Sequence, residues 1–297
     1  MKSLDVSVVL AVKNEQVYIK SAISSVLSQT GLNYEVIVVD DGSVDQTFKI
    51  LEQIAANEIK VRLFRNPSSG KCSAFNFGVA QAAGRFVCIF AGDDIMPEGS
   101  LSARFASVKE LPDNIPTVGL CKIITMSDDK KFDGHLIPRA LGRGALSGVS
   151  PLMNQLALNK IFPVPDVLPN EDTWMEIAIL HFESWNIVHS DIVGCAWRCH
   201  SGNSINMRVN FPEYNDKVSI RMRAFQLFYD KYNAELSEIS KRRLLGKVRC
   251  EKMRSAGDVI GVLSSPVRFV DKLRALSITN AWMYALRKQF YGIFSGW

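Results

Sequence analysis

Residues 84–100 read GRFVCIFAGDDIMPEGS, and their reading decides the fold. Phe86 to Phe90 form an apolar block that follows a glycine and runs into a polar cluster. A short apolar run between turn signals is the pattern of a strand buried on both faces in a parallel sheet. Asp93 and Asp94 then lie just past its carboxyl end, beyond the small pair Ala91 and Gly92, where backbone and ligand approach closely. In open α/β sheets that edge is where ligands bind. Adjacent carboxylates repel, so a positive partner is expected, and a hard divalent cation carrying substrate phosphates suits the place. The same pair ahead of Pro97 also reads as a turn or helix cap.

Working outward, the amino-terminal side repeats the pattern. Asp5–Val12 (DVSVVLAV) is a β-branched strand, Asn14–Ser28 has helical periodicity, and Tyr34–Val39 (YEVIVV) is a second buried strand ending at Asp40 and Asp41. A helix over Asp45–Ala55 and a strand over Val61–Phe64 follow. Alternating strands and helices predict right-handed crossovers and a parallel sheet. Polar groups then gather on one sheet edge: Lys13, Asn14 and Glu15, then Asp40 and Asp41, then Asp93 and Asp94. A helix over Gly70–Gln81 starts with a glycine and Lys71, a combination that suits a phosphate, or equally a packed helix with a solvated lysine. No Walker A sequence and no G-x-G-x-x-G occurs, which argues against P-loop NTPases and ordinary dinucleotide oxidoreductases.

Composition sets wider bounds. The chain has 297 residues, 47% of them hydrophobic, enough for a sizeable core in one or two domains. Six scattered cysteines without C-x-x-C units suggest reduced core thiols, hence a cytoplasmic setting. The apolar run at the amino terminus is too short for a signal peptide, and no stretch reaches transmembrane length. Charge is uneven: residues 241–297 hold 12 Lys and Arg against 3 acidic residues, a balance of +9, which leaves −4 on residues 1–240 out of the net +5. The tail is suited to an anionic surface.

Downstream, Leu101–Lys109 is helical, Thr117–Met126 is a strand, and residues 128–149 form a long polar loop. That loop is a candidate lid or a mobile insertion, with His135, Arg139 and Arg143 as weak contacts or plain surface. Glu171 and Asp172 open a helix over Trp174–Phe182, where acidic residues also make good capping chemistry. Ile187–His189 and Ile192–Trp197 read as two strands leading into Arg198-Cys199-His200-Ser201-Gly202-Asn203-Ser204. Helices follow over Tyr214–Tyr232 and Leu236–Ser255. From Pro266 a last segment has Ile278, Trp282, Leu286, Phe290 and Ile293 at helical spacing, with Trp282, Tyr284, Tyr291, Trp297, Arg287 and Lys288 giving it interfacial character. It either meets a membrane surface or packs on the catalytic domain or a second copy in a homo-oligomer. No nucleic-acid-binding motif accompanies the basic charge.

VSVVLAVKNE, VIVVDDGSVDQT, the Gly70–Gly78 segment with Asn76, and GRFVCIFAGDDIMPEGSL, taken as an ordered set, resemble the amino-terminal half of family 2 glycosyltransferases. The resemblance implies a GT-A fold, an α/β architecture with a mostly parallel central sheet flanked by helices, here with a carboxyl-terminal helical extension. It implies a catalytic domain over residues 1–210, with a nucleotide-sugar half over 1–100 and an acceptor half over 101–210, and a basic extension over 211–297. By position it implies that Ala11, Val12 and Glu15 line the nucleoside site and Asp41 contacts the base. Lys71 would lie near the base or diphosphate, and Arg198 and Ser204 would face the donor phosphates. Asp93 would bind Mn2+ or Mg2+ and, because Ala91 stands where the family commonly has an aspartate, His200 would complete the metal site. An inverting transfer needs a general base, which the resemblance assigns to Asp172, with Glu171, Asp94 and Trp174 toward the acceptor. The expected reaction moves a sugar from a nucleotide-diphosphate donor, of UDP type, to a saccharide hydroxyl, carried on a polyprenyl diphosphate at the inner face of the cell membrane. A nucleotidyltransferase and a non-catalytic membrane-associated relative are the competing readings. The nucleotidyltransferase is disfavoured because Ala11–Glu15 lacks a glycine-rich basic loop.

Overall fold

The computed structural model describes residues 4–200 and 209–289, so Ser204, Phe290, Tyr291, Ile293 and Trp297 lie outside the described residues. The chain divides into two compact units, one of residues 1–179 with 184–200 and one of residues 180–183 with 201–297.

The first unit begins with β1 (Val6–Val12), α1 (Ile19–Leu27), β2 (Tyr34–Asp40), α2 (Thr47–Asn57), β3 (Val61–Arg65), α3 (Lys71–Ala80) and β4 (Phe86–Ala91). β1 pairs in parallel with β2 and β4, and β2 in parallel with β3. The cause is in the side chains. Val6, Val8, Leu10 and Val12 of β1 turn to one face, where Ile19, Ile23 and Val26 of α1 cover them. Val9 turns to the other, where α3 comes so close that a Cβ on Gly78 would lie 2.5 Å from Val9 Cγ1. With both faces buried, the strands read as unbroken apolar runs.

The second half of this unit carries α4 (Ser100–Ala106), β5 (Thr117–Met126), β6 (Leu136–Ile137), β7 (Leu152–Asn154), α5 (Gln155–Ile161), α6 (Asp172–His181) and β8 (Asn186–Arg198). The sheet runs β3-β2-β1-β4-β7-β5-β6, with β8 parallel to β5. Pairing turns antiparallel at β7 and β6, so the sheet is mixed on this side. The polar loop over 128–149 is tied down from within: the buried ammonium of Lys122 donates to Pro138 O and Ala140 O, both at 2.7 Å, and pairs with Asp191. β8 is one strand with register irregularities against β5 between Leu120 and Ile123, in place of the two expected.

In the second unit α7 (Phe211–Tyr232), α8 (Glu238–Ser255), α9 (Val259–Ser264), α10 (Phe269–Leu276) and α11 (Ala281–Gln289) follow in order. Side-chain caps at Asn210, Ser237 and Asp258 start the first three. The segment after Pro266 is not one continuous helix: it breaks between Leu276 and Ala281. Arg254 is the polar centre of this unit, buried and held by both oxygens of Glu251, by Asn215, by Ser219 and by Ile278 O. Replacing one partner of so buried a charge is expected to cost several kcal/mol.

Also in this unit, His181 is buried, its Nδ1 has no hydrogen-bond partner among the described residues, and its pKa is pushed down to about 4 by burial and by Arg243 and Lys247. Below pH 6.5 the unfolded imidazole takes a proton that the folded one refuses until about pH 4, so stability falls with pH across that window, by about 3 kcal/mol at most. We expect His181→Gln to flatten this slope. Denaturant titrations between pH 4 and 7 test it, and an unchanged slope would assign the acid sensitivity elsewhere.

Candidate active site

Two loops at the carboxyl ends of β1 and β2 are laced together. Asn14 N–H donates to Ser43 Oγ, Val44 N–H to Asn14 Oδ1, Glu15 N–H to Thr47 Oγ1, Gln16 N–H to Asp45 Oδ2 and Gln46 N–H to Gln16 Oε1. Asn14 sits at φ +56°, a left-handed conformation that asparagine tolerates better than most residues. Asp41 stands beside this floor, nearly buried: its Oδ1 accepts from Asn66 Nδ2 at 2.7 Å and Gly70 N–H at 2.9 Å, and its Oδ2 lies 3.5 Å from Lys13 Nζ. Asp41 therefore joins the end of β2 to the start of α3. Ala11 is half-buried in register with Val39 and Ala91. Val12 has its side chain buried and its carbonyl bonded to Asp41 N–H, so its part is to pack beneath the site.

The chain past β4 then crosses to β8. Ile95 and Ala196 exchange N–H···O bonds of 3.1 and 2.8 Å, which brings Asp93 and His200 together: His200 Nε2 is 3.0 Å from Asp93 Oδ2. Arg198 Nε donates to Asp93 O at 2.8 Å, and its guanidinium lies 4.5 Å from the centre of the Tyr18 ring, which also faces His200 at 5.3 Å. Sequence reasoning did not find Tyr18, because an aromatic just ahead of a helical run reads as packing. Gly92 makes room here. A Cβ on it would come within 2.8 Å of Val12 Cγ1 and 3.3 Å of Glu15 Cγ.

Two of the residues expected toward the acceptor are buried. Asp94 is 1% exposed; its Oδ1 accepts from Arg198 N–H at 2.8 Å, and the Cys195 thiol donates to Oδ2, so it fastens β8. Trp174 is wholly buried and its indole donates to Ile161 O, so it anchors α6. Glu171 is buried too, but its Oε1 pairs with Lys71 Nζ at 3.2 Å and its Oε2 has no partner among the described residues. Asp172, half-buried at the first position of α6, accepts from Thr173 N–H at 2.6 Å. On α3, Asn76 bonds Val164 through both its amide groups and also Asp166, tying that helix to the segment ahead of α6.

Electrostatics link these groups. Glu15 is pushed up to about 7 by burial and then by Asp93, and Asp94 to about 7 by burial and then by Asp93. Lys71 is held above its ordinary value: burial opposes this, but Glu171 and Asp172 override it. The Lys71 charge also acts on Asp94. The site thus gathers carboxylates, with Lys13, Lys71 and Arg198 beside them. Among the described residues no cluster of three or more His, Cys, Asp and Glu side chains is placed to hold a metal unaided. Asp93 and His200 offer one oxygen and one nitrogen, a donor pair whose chemistry fits a divalent ion.

Comparison with known proteins gives a consistent answer. Residues 7–149 match the family model described as Glycosyl transferase family 2. Glycosyltransferase GlyG of Streptococcus pneumoniae is 32% identical over 106 residues, 35% of this chain and 35% of that one. The uncharacterized glycosyltransferase EpsJ of Bacillus subtilis is 30% identical over 128 residues, 42% of this chain and 36% of that one. The matched region therefore spans about a third of these relatives' own length. Among solved structures, residues 1–349 of S. aureus TarS superpose with a TM-score of 0.62 at 18% identity, over 97% of this chain and 91% of that one. The same protein in complex with UDP-GlcNAc gives 0.61 at 20% identity, over 95% and 84%. The likeness establishes the α/β fold, with its central sheet flanked by helices.

Gly92→Ala is expected to force β1 and Glu15 apart from the end of β4 and to destabilise the first unit by about 1–3 kcal/mol. A urea titration measures this, and a loss within error of zero would show that the recess yields freely at that point.

Proposed function

Residues 7–149 form a glycosyl transferase family 2 domain, and on that premise we propose that the chain transfers a sugar, with inversion, from a nucleotide-diphosphate donor to a saccharide hydroxyl. The observation that carries this reading is the meeting of Asp93 and His200 just past the ends of β4 and β8, with Lys71 paired to Glu171 and its charge acting on Asp94. The UDP-GlcNAc complex of S. aureus TarS, a protein of the same fold, supports UDP as the nucleotide.

The laced loops and Asp41 bind the nucleoside, with Ala11 and Glu15 beside it. Asp93 and His200 would hold Mn2+ or Mg2+, which when bound neutralises charge on the diphosphate. Lys71 and Arg198 orient the diphosphate, Lys71 from the amino end of α3, where backbone N–H groups add to its charge. As the acceptor oxygen attacks the anomeric carbon and the bond from that carbon to the diphosphate oxygen breaks, the hydroxyl proton passes to the Asp172 carboxylate. Its Oδ1 is already fixed by Thr173 N–H. Glu171 keeps Lys71 in place from below. The acceptor in this reading is a lipid-linked saccharide at a membrane surface, supported by the +9 balance of residues 241–297. No described helix is long and apolar enough to cross a membrane. We propose the catalytic domain as residues 1–210 and the basic extension as 211–297.

Asp172→Asn should lower transfer by about 10²–10⁴-fold and leave UDP affinity unchanged. Turnover assays beside calorimetric UDP titrations separate the two, and equal loss of both would remove Asp172 from the role of base. His200→Ala and Asp93→Asn should abolish the tightening of UDP binding by manganese. If manganese still tightens binding in both variants, the ion sits elsewhere.

A further inference from the structure

Within the second unit, α10 is turned inside out. Its polar residue Asp271 points inward, nearly buried, and pairs with Lys247 of α8 at 2.7 Å and with Arg268 at 3.1 Å. Its apolar residues Phe269, Val270 and Leu273 point outward, Phe269 with 70% of its surface exposed. An amphipathic helix on a protein surface ordinarily does the reverse. The neighbouring helices share the habit: Ile260 and Leu263 of α9 are exposed, as are Trp282 and Leu286 of α11, one helical turn apart. α9 and α10 both pack on α8. The turn between them closes onto Gly246, where a Cβ would lie 2.7 Å from Pro266 O, and Lys272 Nζ donates to Leu263 O. The buried Arg254 network fixes the α10–α11 turn through Ile278 O. The outward apolar side chains are therefore held on a braced support.

What covers such a face is indicated by its charges. Arg268 at the start of α10, Arg274 on α10 and Lys288 on α11 are exposed, as are Arg242, Arg243, Arg249 and Lys252 on α8. On α9–α11 the only acidic residue is Asp271, which is turned inward and paired with Lys247 and Arg268. Apolar side chains among cations suit a surface with a negative outer layer and an apolar interior, and a bilayer of anionic lipids has both. We propose that the outward faces of α9, α10 and α11 are a docking surface for anionic lipid bilayers. Phe269, Val270, Leu273 and Trp282 enter the acyl boundary, and Arg268, Arg274 and Lys288 meet the headgroups. The use of this surface rests on the proposed transfer to a lipid-linked acceptor, but lipid contact is measured without turnover.

The test is flotation of the full chain with phosphatidylcholine vesicles and with phosphatidylcholine–phosphatidylglycerol vesicles. The wild type should float with the anionic vesicles only, less at high salt, with Trp emission shifted to the blue. Phe269→Asp combined with Leu273→Asp should lower partitioning about tenfold or more while melting and UDP binding stay as in the wild type. Trp282→Asp, on a separate helix, should lower partitioning in the same direction and provides the answer if the double variant fails to fold. The proposal is overturned if the wild type stays at the bottom of the gradient, if a folded variant floats equally well, or if light scattering shows a dimer that these substitutions dissociate. UDP binding retained without flotation counts against this surface alone, and flotation without UDP binding counts against the enzyme alone.

Discussion

The first unit depends on a single crossing of the backbone. β7 pairs only with Phe86 and Val87 of β4, so the two strands part company before β4 ends. The chain beyond β4 then meets the edge of β8 that β5 does not use, through the two Ile95–Ala196 hydrogen bonds. Hydrogen-bonded neighbours thus run from β4 through β7, β5 and β8 back to Ile95, and no free edge is left at that point. Asp94 reinforces the closure from beneath. Asp93, one residue earlier, and His200, two residues past β8, meet because of that closure, although 107 positions separate them.

The closure concentrates negative charge. Glu15 and Asp94 are both driven upward by burial and by Asp93, and the nearby cations are already engaged, Lys71 with Glu171 and Arg198 with the carbonyl of Asp93. Such a recess favours a ligand that brings positive charge to the carboxylates and negative charge to Lys71 and Arg198. The diphosphate and divalent ion of the proposed reaction have that distribution. The tight packing at Gly92 matters for the same reason, because a wider recess would admit water and screen the charges.

β1, β2 and β4 were legible in the sequence because strands buried on both faces leave apolar runs, and the carboxylates follow them directly. β6, β7 and α5 were not, since elements of two, three and seven residues show no usable period. β8 read as two strands because Ser190 and Asp191 interrupt its apolar pattern, while the backbone continues through them. Asp94 and Trp174 show the limit of reading residue type: a carboxylate and an indole are recognised by chemistry, but only packing tells that both are buried fasteners. In the second unit the periodic stripe after Pro266 was visible, but its direction was not. A stripe reports that a helix has two faces, and on α11 the burial of Tyr284 with the exposure of Trp282 and Leu286 tells which of them is inside.

The five hydrogen bonds between the loops after β1 and β2 have a further consequence. Each loop supplies both donors and acceptors to the other, and Asn14 and Gln16 each take part in two of the five. Neither loop has a conformation of its own that is independent of its neighbour. A chimera that grafts one of them from a related protein would leave backbone N–H groups without their acceptors, so any recombination at this edge of the sheet has to carry residues 13–18 and 43–47 across together, as one discontinuous module.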